Sequence, residues 1–214
     1  MTTYRWSADE SSAKRLDEGA IVDGYEIPAV SVCNRCHGGR DDRMLGIEEW
    51  SLSAAGAEGL TMAKLKDLGL VTPSPATTTM TIPEDGTGKA AAALGWLHAN
   101  CGMCHNNRTG SAKFTGLFMD LVRDDADAGV LGQPTWTSGV NQPLRAGGHF
   151  ALSPDFAGFV RIKPSDAAHS MVPVADGIRY TDGGISPDQM PPILSRKVDP
   201  KAASVGAWIN ALPP

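Results

Sequence analysis

Two short motifs use every cysteine in this 214-residue chain. Both have the pattern Cys-x-x-Cys-His, and we call residues 33–37 the first pentad and residues 101–105 the second pentad. Their reactive side chains are Cys33, Cys36 and His37 in the first, and Cys101, Cys104 and His105 in the second. Two thiols at this spacing can add to the two vinyl groups of one porphyrin, and the histidine that follows can bind the iron. The sequence therefore predicts two covalently attached haem c groups.

Two other uses of paired cysteines fit the sequence less well. Four thiolates could hold one structural zinc ion, but the paired knuckles of such sites usually lie about 15 to 20 residues apart. Residues 33 and 101 are much farther apart, and a zinc site does not need a histidine after each second cysteine. Disulfides within each pair are typical of motifs that begin a helix after a buried strand, a context that neither pentad has.

The composition predicts a fold with much irregular backbone. Aromatic residues make up only 6% of the chain, whereas it contains 24 glycines and 15 prolines, which favour turns and loops. Two embedded porphyrins would supply apolar surface that the side chains lack. We therefore expect a mainly α fold with long irregular loops and two haem-binding units, residues 1–80 with a polar lead-in and residues 81–214.

Charge and hydropathy restrict the partners and the location that we expect. A net charge of -5 argues against a nucleic-acid or anionic-membrane surface. The longest apolar run, residues 90–97, is too short to span a membrane. Residues 1–7 lack the sections of a signal peptide. Because haem is attached covalently in exported bacterial proteins, we expect a periplasmic or otherwise exported protein whose leader was trimmed.

Hydrophobic periodicity and capping residues predict several short helices and a long one that carries the second pentad. The last helix is expected to follow Asp199 as its N-cap, with Pro200 in the first turn. The predicted helices cover residues 7–16, 45–52, 58–68, 88–105, 165–171 and 200–212, and extended segments are predicted at 25–30 and 156–162.

A low-spin electron-transfer haem needs a sixth ligand, which is commonly a methionine thioether. Met190 precedes two prolines and the last helix, so we predict that it binds the second haem, with Met119 and Met171 as alternatives. Met80 lies in a Thr- and Pro-rich loop before a helix and is predicted for the first haem. The imidazole of His98 is the next candidate there.

The segment ALGWLHANCGMCHN at residues 93–106 resembles the second haem site of a family of bacterial dihaem c-type cytochromes. The first pentad with residues 44–47, and residues 190–192 with Trp208 and Ile209, look like the same pattern. The resemblance implies exported electron carriers with two class I cytochrome c-like units and Met190 as a distal ligand. It also implies that Gly95 lets the last helix cross closely.

Electron transfer between a redox protein donor and a redox protein acceptor is the function that these features favour. The alternative is a dihaem peroxidase-like enzyme, in which one iron keeps an open or labile position. Arg145, Arg161 and Arg179 are candidate partners for haem propionates, because arginine pairs bidentately with carboxylates, although each also suits a surface role.

Overall fold

The computed structural model describes residues 1–123, 128–179, 189–192 and 197–214. Two antiparallel hairpins open the chain, β1 (Tyr4–Trp6) with β2 (Ala13–Arg15) and β3 (Ala20–Val22) with β4 (Tyr25–Ile27). Helices and irregular segments make up the rest of the described chain.

The α-helices are short, and irregular chain joins them. They are α1 (Asn34–His37), α2 (Glu49–Ser53), α3 (Met62–Asp67), α4 (Ala90–Leu97), α5 (Gly129–Gly132), α6 (Pro134–Gly139), α7 (His149–Leu152), α8 (Met171–Gly177) and α9 (Ala203–Ala211). A π-helical turn, His98–Gly102, continues α4. Short 3₁₀ turns cover Val30–Val32, Lys113–Thr115, Pro154–Phe156, Ala167–His169 and Pro200–Ala202.

The helix predicted at residues 7–16 is wrong, because this segment forms the turn and second strand of the first hairpin. The Ser7 amide donates to the carbonyl of Ser12 at 2.8 Å, and the Asp9 carboxylate accepts from the Ser7 hydroxyl at 2.6 Å. Such local side-chain bonds offer the backbone an alternative to the helical ladder. The extended segment predicted from residue 25 corresponds to β4.

The helices predicted at 45–52 and 58–68 are present as the shorter α2 and α3, whereas the segment predicted as a helix at 165–171 forms only a 3₁₀ turn before α8. The long helix predicted at 88–105 is α4 followed by the π-helical turn. The strand predicted at 156–162 is reduced to isolated bridges at Val160 and Ile162. The last helix begins as expected: the Asp199 carboxylate accepts from the amide of Lys201 at 2.9 Å, and Pro200 occupies the first turn.

The centre of the core is the packing of α4 against α9. Leu94 and Leu97 of α4 and Trp208 of α9 are fully buried. Trp50 and Met80 belong to the same buried cluster, so residues from both sides of the predicted boundary at residue 80 share one core. That residues 1–80 bind one haem and residues 81–214 bind the other stays a prediction.

Two indole groups fix the last helix to the rest of the fold. Trp208 Nε1 donates to the Asp85 carboxylate at 2.9 Å, and Trp96 Nε1 donates to the Asp199 carboxylate at 3.0 Å. The resemblance implied that Gly95 makes room for this helix. A Cβ atom at Gly95 would instead lie 2.8 Å from Ile82 Cδ1, so the close approach is to the loop before α4.

No helix in the described ranges is long and apolar enough to cross a membrane.

We predict that Trp208→Ala lowers the free energy of unfolding by about 3–5 kcal/mol, because it opens a large cavity and leaves the Asp85 carboxylate without its indole donor. Trp6→Ala is the matched control, since the Trp6 side chain is 63% exposed whereas Trp208 is 0% exposed. That change should stay within about 0.5 kcal/mol. Denaturant unfolding measures both, and equal effects would contradict this view of the core.

Candidate functional site

The two pentads adopt the same helical turn. In the first, the Cys33 carbonyl accepts from the amides of Cys36 at 3.3 Å and His37 at 3.1 Å. In the second, the Cys101 carbonyl accepts from the amides of Cys104 at 3.0 Å and His105 at 2.8 Å. Residues three and four apart share one side of a helical turn. Each pentad can therefore present two thiols and one imidazole to the same side.

Both pentad histidines are held through the same ring nitrogen. Nδ1 of His37 lies 2.7 Å from the carbonyl oxygen of Arg43, and Nδ1 of His105 lies 3.1 Å from that of Leu117. A carbonyl only accepts, so Nδ1 carries the proton and Nε2 keeps a lone pair. Neither Nε2 has a hydrogen-bond partner in the described parts of the chain. Metal-ligating histidines are typically fixed in this way.

The carbonyl that holds His37 comes from a strained turn. Arg43 has φ 59°, in the left-handed region that a side chain with a Cβ atom rarely adopts. Its guanidinium donates to the Asn34 side chain at 3.0 Å, and the Asp42 carboxylate accepts from the amide of Met44 at 2.9 Å. These bonds hold the Arg43 carbonyl against the imidazole. Backbone strain of this kind is concentrated at functional sites.

The carbonyl that holds His105 is fixed by Arg161. The Arg161 guanidinium donates to the carbonyls of Thr115 at 2.8 Å, Gly116 at 2.6 Å and Ser138 at 2.7 Å. Thr115 and Gly116 directly precede Leu117 in the chain. Sequence reasoning considered Arg161 as a propionate partner, whereas the structure uses it to order the loop that orients His105.

The surroundings of His105 favour its neutral imidazole. Burial lowers its pKa, and the positive charge of Arg161 lowers it further, although the hydrogen bond to Leu117 acts in the opposite direction. A neutral imidazole with Nδ1 protonated is the form that can bind a metal through Nε2.

Asn106, which directly follows the second pentad, ties the two pentads together. It is buried, and its amide nitrogen reaches one carbonyl of the first pentad's flank and two of the second pentad. These acceptors are Gly39 at 3.2 Å, Gly102 at 2.9 Å and Met103 at 3.2 Å. Its side-chain oxygen accepts from the amides of Arg108 at 3.1 Å, Thr109 at 3.2 Å and Gly110 at 3.0 Å.

The chain approaches itself closely beside Asn106. A Cβ atom at Gly39 would lie 1.6 Å from the carbonyl oxygen of Met103, so only glycine fits there. The carbonyl of Arg35 accepts from the Cys104 thiol at 3.1 Å and from the Ser111 hydroxyl at 2.7 Å. We call this region the pentad contact: Arg35, Cys36 and Gly39 on one side, and Met103, Cys104, Asn106 and Ser111 on the other.

The second thiols of the two pentads meet in the pentad contact. The Cys36 side chain favours the thiolate of Cys104 and lowers its pKa to about 7. The Cys104 side chain, together with burial, raises the pKa of Cys36. The pentads are far apart in the sequence, and nothing in the local pattern predicts that they touch.

The other two thiols lie away from the pentad contact. The Cys33 thiol lies 3.8 Å from the Ala29 carbonyl oxygen. Burial raises the pKa of Cys101 to about 12, and the nearby charge of Asp176 adds to the effect. None of the four cysteines forms a disulfide. The described residues hold no cluster of three or more His, Cys, Asp or Glu side chains placed for a metal ion, whereas a haem iron takes only one or two protein ligands.

The structure brings the predicted ligand Met190 to the end of α8. The Met190 amide donates to the Ala175 carbonyl at 3.0 Å, and the Arg179 guanidinium donates to the Met190 carbonyl at 3.0 Å. Arg179 is in turn paired with the buried Asp176 carboxylate at 3.4 Å. The charge of Asp176 also raises the pKa of the Cys101 thiol.

Met80 lies in the shared core. Its amide donates to the Ser53 carbonyl at 2.6 Å, and its sulfur lies 3.9 Å from the guanidinium of Arg123. The two alternatives for the second haem, Met119 and Met171, are also buried. The Met119 amide donates to the His105 carbonyl at 2.7 Å, which closes the loop that follows the second pentad.

Both ring nitrogens of His98 are engaged within the protein. Nδ1 accepts from the Leu121 amide at 3.0 Å, and Nε2 donates to Glu48 at 3.1 Å. Burial raises the pKa of the Glu48 carboxyl, but hydrogen bonds from His98 and Ser51 outweigh it and lower the pKa to about 2. In this arrangement His98 joins α2 to the second pentad and offers no lone pair to iron.

The chain matches no protein-family model, no curated protein and no solved structure. The resemblance to dihaem cytochromes therefore rests on the sequence motifs. Sequence reasoning missed the roles of Asn106 and Gly39. An asparagine four residues before a glycine, as at Asn106 and Gly110, favours a turn held by its side chain and could have indicated the first of these.

We predict that Asn106→Ala lowers the free energy of unfolding by about 1–3 kcal/mol, because it leaves buried carbonyl and amide groups without partners. Asn107→Ala is the matched control, since the neighbouring Asn107 side chain is exposed. Denaturant unfolding measures both variants. If they had the same effect, Asn106 would not be the residue that joins the pentads.

We predict that Glu48 makes stability depend on pH in the acid range. Its pKa falls from an ordinary 4.5 to about 2 on folding, so its contribution is complete above pH 4.5 and is lost as the pH approaches 2. The difference in unfolding free energy between the wild type and Glu48→Gln should therefore shrink over this range. Glu58→Gln, at an exposed position, is the control. A difference that stayed constant with pH would contradict the His98–Glu48 pairing.

Proposed function

We propose that this chain is a dihaem c-type cytochrome that carries electrons between redox proteins. One observation carries the proposal: both pentads form the same helical turn, and in both the histidine Nδ1 is held by a backbone carbonyl while Nε2 has no partner among the described residues. Two independent loops supply the two carbonyls. A shared arrangement from unrelated loops favours a shared ligand at both pentads.

The reactive side chains divide into two equivalent sets. Thioethers would form at Cys33 and Cys36 with His37 as the first axial ligand, and at Cys101 and Cys104 with His105. A bound haem supplies one-electron chemistry at its iron. The protein contributes the orientation of both imidazoles, the burial of the second set and the exclusion of competing ligands, and these set the reduction potentials.

The sixth ligand proposed for the second haem is better supported than the one proposed for the first. Met190 remains our proposal for the second haem, because the bonds from Arg179 and to Ala175 fix its backbone at the end of α8. Met80 remains our proposal for the first haem, although its sulfur contacts Arg123 inside the core. His98 is disfavoured because both of its nitrogens are engaged.

The buried position of Met80 supports the alternative function. If Met80 stays in the core, the first iron has an open position, as in a dihaem peroxidase-like enzyme that binds peroxide. On either function we propose an exported, periplasmic protein, because covalent haem attachment takes place outside the cytoplasm. Its partner would be a redox protein donor or acceptor.

Ligand binding separates the two functions. A carrier with both irons six-coordinate should bind no carbon monoxide after reduction and should not change its spectrum with peroxide. One carbon monoxide per chain would indicate the peroxidase-like alternative. A polypeptide that releases its pigment on acid extraction, or that acquires none, would contradict covalent haem attachment altogether.

We predict that Met190→Ala reduces the weak long-wavelength band that methionine–iron bonds give the oxidised protein, because the contribution of the second haem is lost while the haem content is unchanged. Met44→Ala is the matched control, because Met44 is an exposed methionine outside the Met190 segment. Its spectrum should equal that of the wild type. An unchanged band in Met190→Ala would exclude Met190 as the ligand.

A further inference from the structure

The pentad contact has a consequence for how two haems would sit on this chain. We propose that the haems are attached edge to edge, with the thioether at Cys36 beside the thioether at Cys104, so that electrons pass directly between the two haems. The inference rests on the proposed function. It adds a path for electrons within the chain, which neither pentad would indicate by itself.

The position of the Cys104 sulfur against the first pentad is the first support. The Cys104 thiol donates at 3.1 Å to the carbonyl of Arg35, the residue directly before Cys36. On attachment, each S–H adds across a vinyl double bond: sulfur bonds one carbon, the hydrogen goes to the other, and no oxidant is needed. Each sulfur is then joined to the porphyrin ring through one former vinyl carbon, so neighbouring sulfurs imply neighbouring porphyrin edges.

The contact does not depend on the thiol hydrogen bond that attachment would remove. Gly39 lies against the Met103 carbonyl with no room for a Cβ atom, and the Asn106 amide reaches the Gly39 carbonyl at 3.2 Å. The Ser111 hydroxyl donates to the Arg35 carbonyl at 2.7 Å. These three interactions fix the spacing of the two backbones, so the sulfur positions are set by the fold.

Only one edge of each haem would lie at the contact between the two haems. The Cys33 thiol lies 3.8 Å from the Ala29 carbonyl oxygen, and neither Cys33 nor Cys101 belongs to the pentad contact. The arrangement leaves each haem its own histidine and its own loop, with one shared edge between them. An electron accepted at either haem could leave from the other.

Spectroscopy of the haem-loaded full chain tests the proposal. We expect an exciton couplet in the Soret circular dichroism and spin–spin interaction in the low-temperature electron paramagnetic resonance of the oxidised protein. Gly39→Val should weaken or abolish both signals, because the added side chain would collide with the Met103 carbonyl. Gly86→Ala is the control, since a Cβ atom there meets nothing within 4 Å.

The outcomes distinguish this inference from the proposed function. Two covalent haems per chain with wild-type spectra that equal the sum of two independent haems would overturn the edge contact alone. No covalent haem would overturn the proposed function as well. The wild-type resonance spectrum decides the question even if Gly39→Val fails to fold or to take up haem.

Discussion

Each pentad histidine is fixed by one hydrogen bond from Nδ1 to a backbone carbonyl, and much of the irregular chain holds those two carbonyls in place. Arg43 supplies the first from a left-handed turn. Leu117 supplies the second from a loop that Arg161 clamps through neighbouring carbonyls. The loops that the composition predicted are thus ordered by specific side chains, and their order determines which imidazole nitrogen is left without a partner among the described residues.

The two pentads differ in how they join the core. The second continues directly from α4, whose Leu94 and Leu97 are fully buried against α9. The first follows two hairpins, and β1 and β2 are exposed along their whole length. The connection between them is local and polar, made by Asn106 and by the absence of a side chain at Gly39. Substitution of either residue would weaken the contact between the pentads without removing an apolar side chain from the core.

The sequence predicted those features of the helices that depend on residues close together in the chain. The cap at Asp199, the proline in the first turn and the apolar face of α9 are local signals, and the last helix follows them. The helix predicted at residues 7–16 is wrong because Ser7 and Asp9 bond locally and favour a turn. A prediction from hydrophobic periodicity does not take such competing hydrogen bonds into account.

The sequence did not predict the tertiary contacts. The meeting of Cys36 and Cys104, the pairing of His98 with Glu48 and the carbonyl contacts of Arg161 all join residues that are distant in the chain. The sequence showed which chemistry each of these residues can perform, but it did not show which distant residue each one contacts. His98 illustrates the difference, because an imidazole between two pentads suggests a ligand until both nitrogens are found in hydrogen bonds.

The central claim is that both pentads carry haem, and the amount of haem bound per polypeptide tests it most directly. Pyridine haemochrome absorbance, combined with the intact mass of the chain, counts covalently attached haems without reference to any partner or activity. The account predicts two haems per chain. A count of one would contradict the equivalence of the two pentads, and a count of zero would contradict the proposed function.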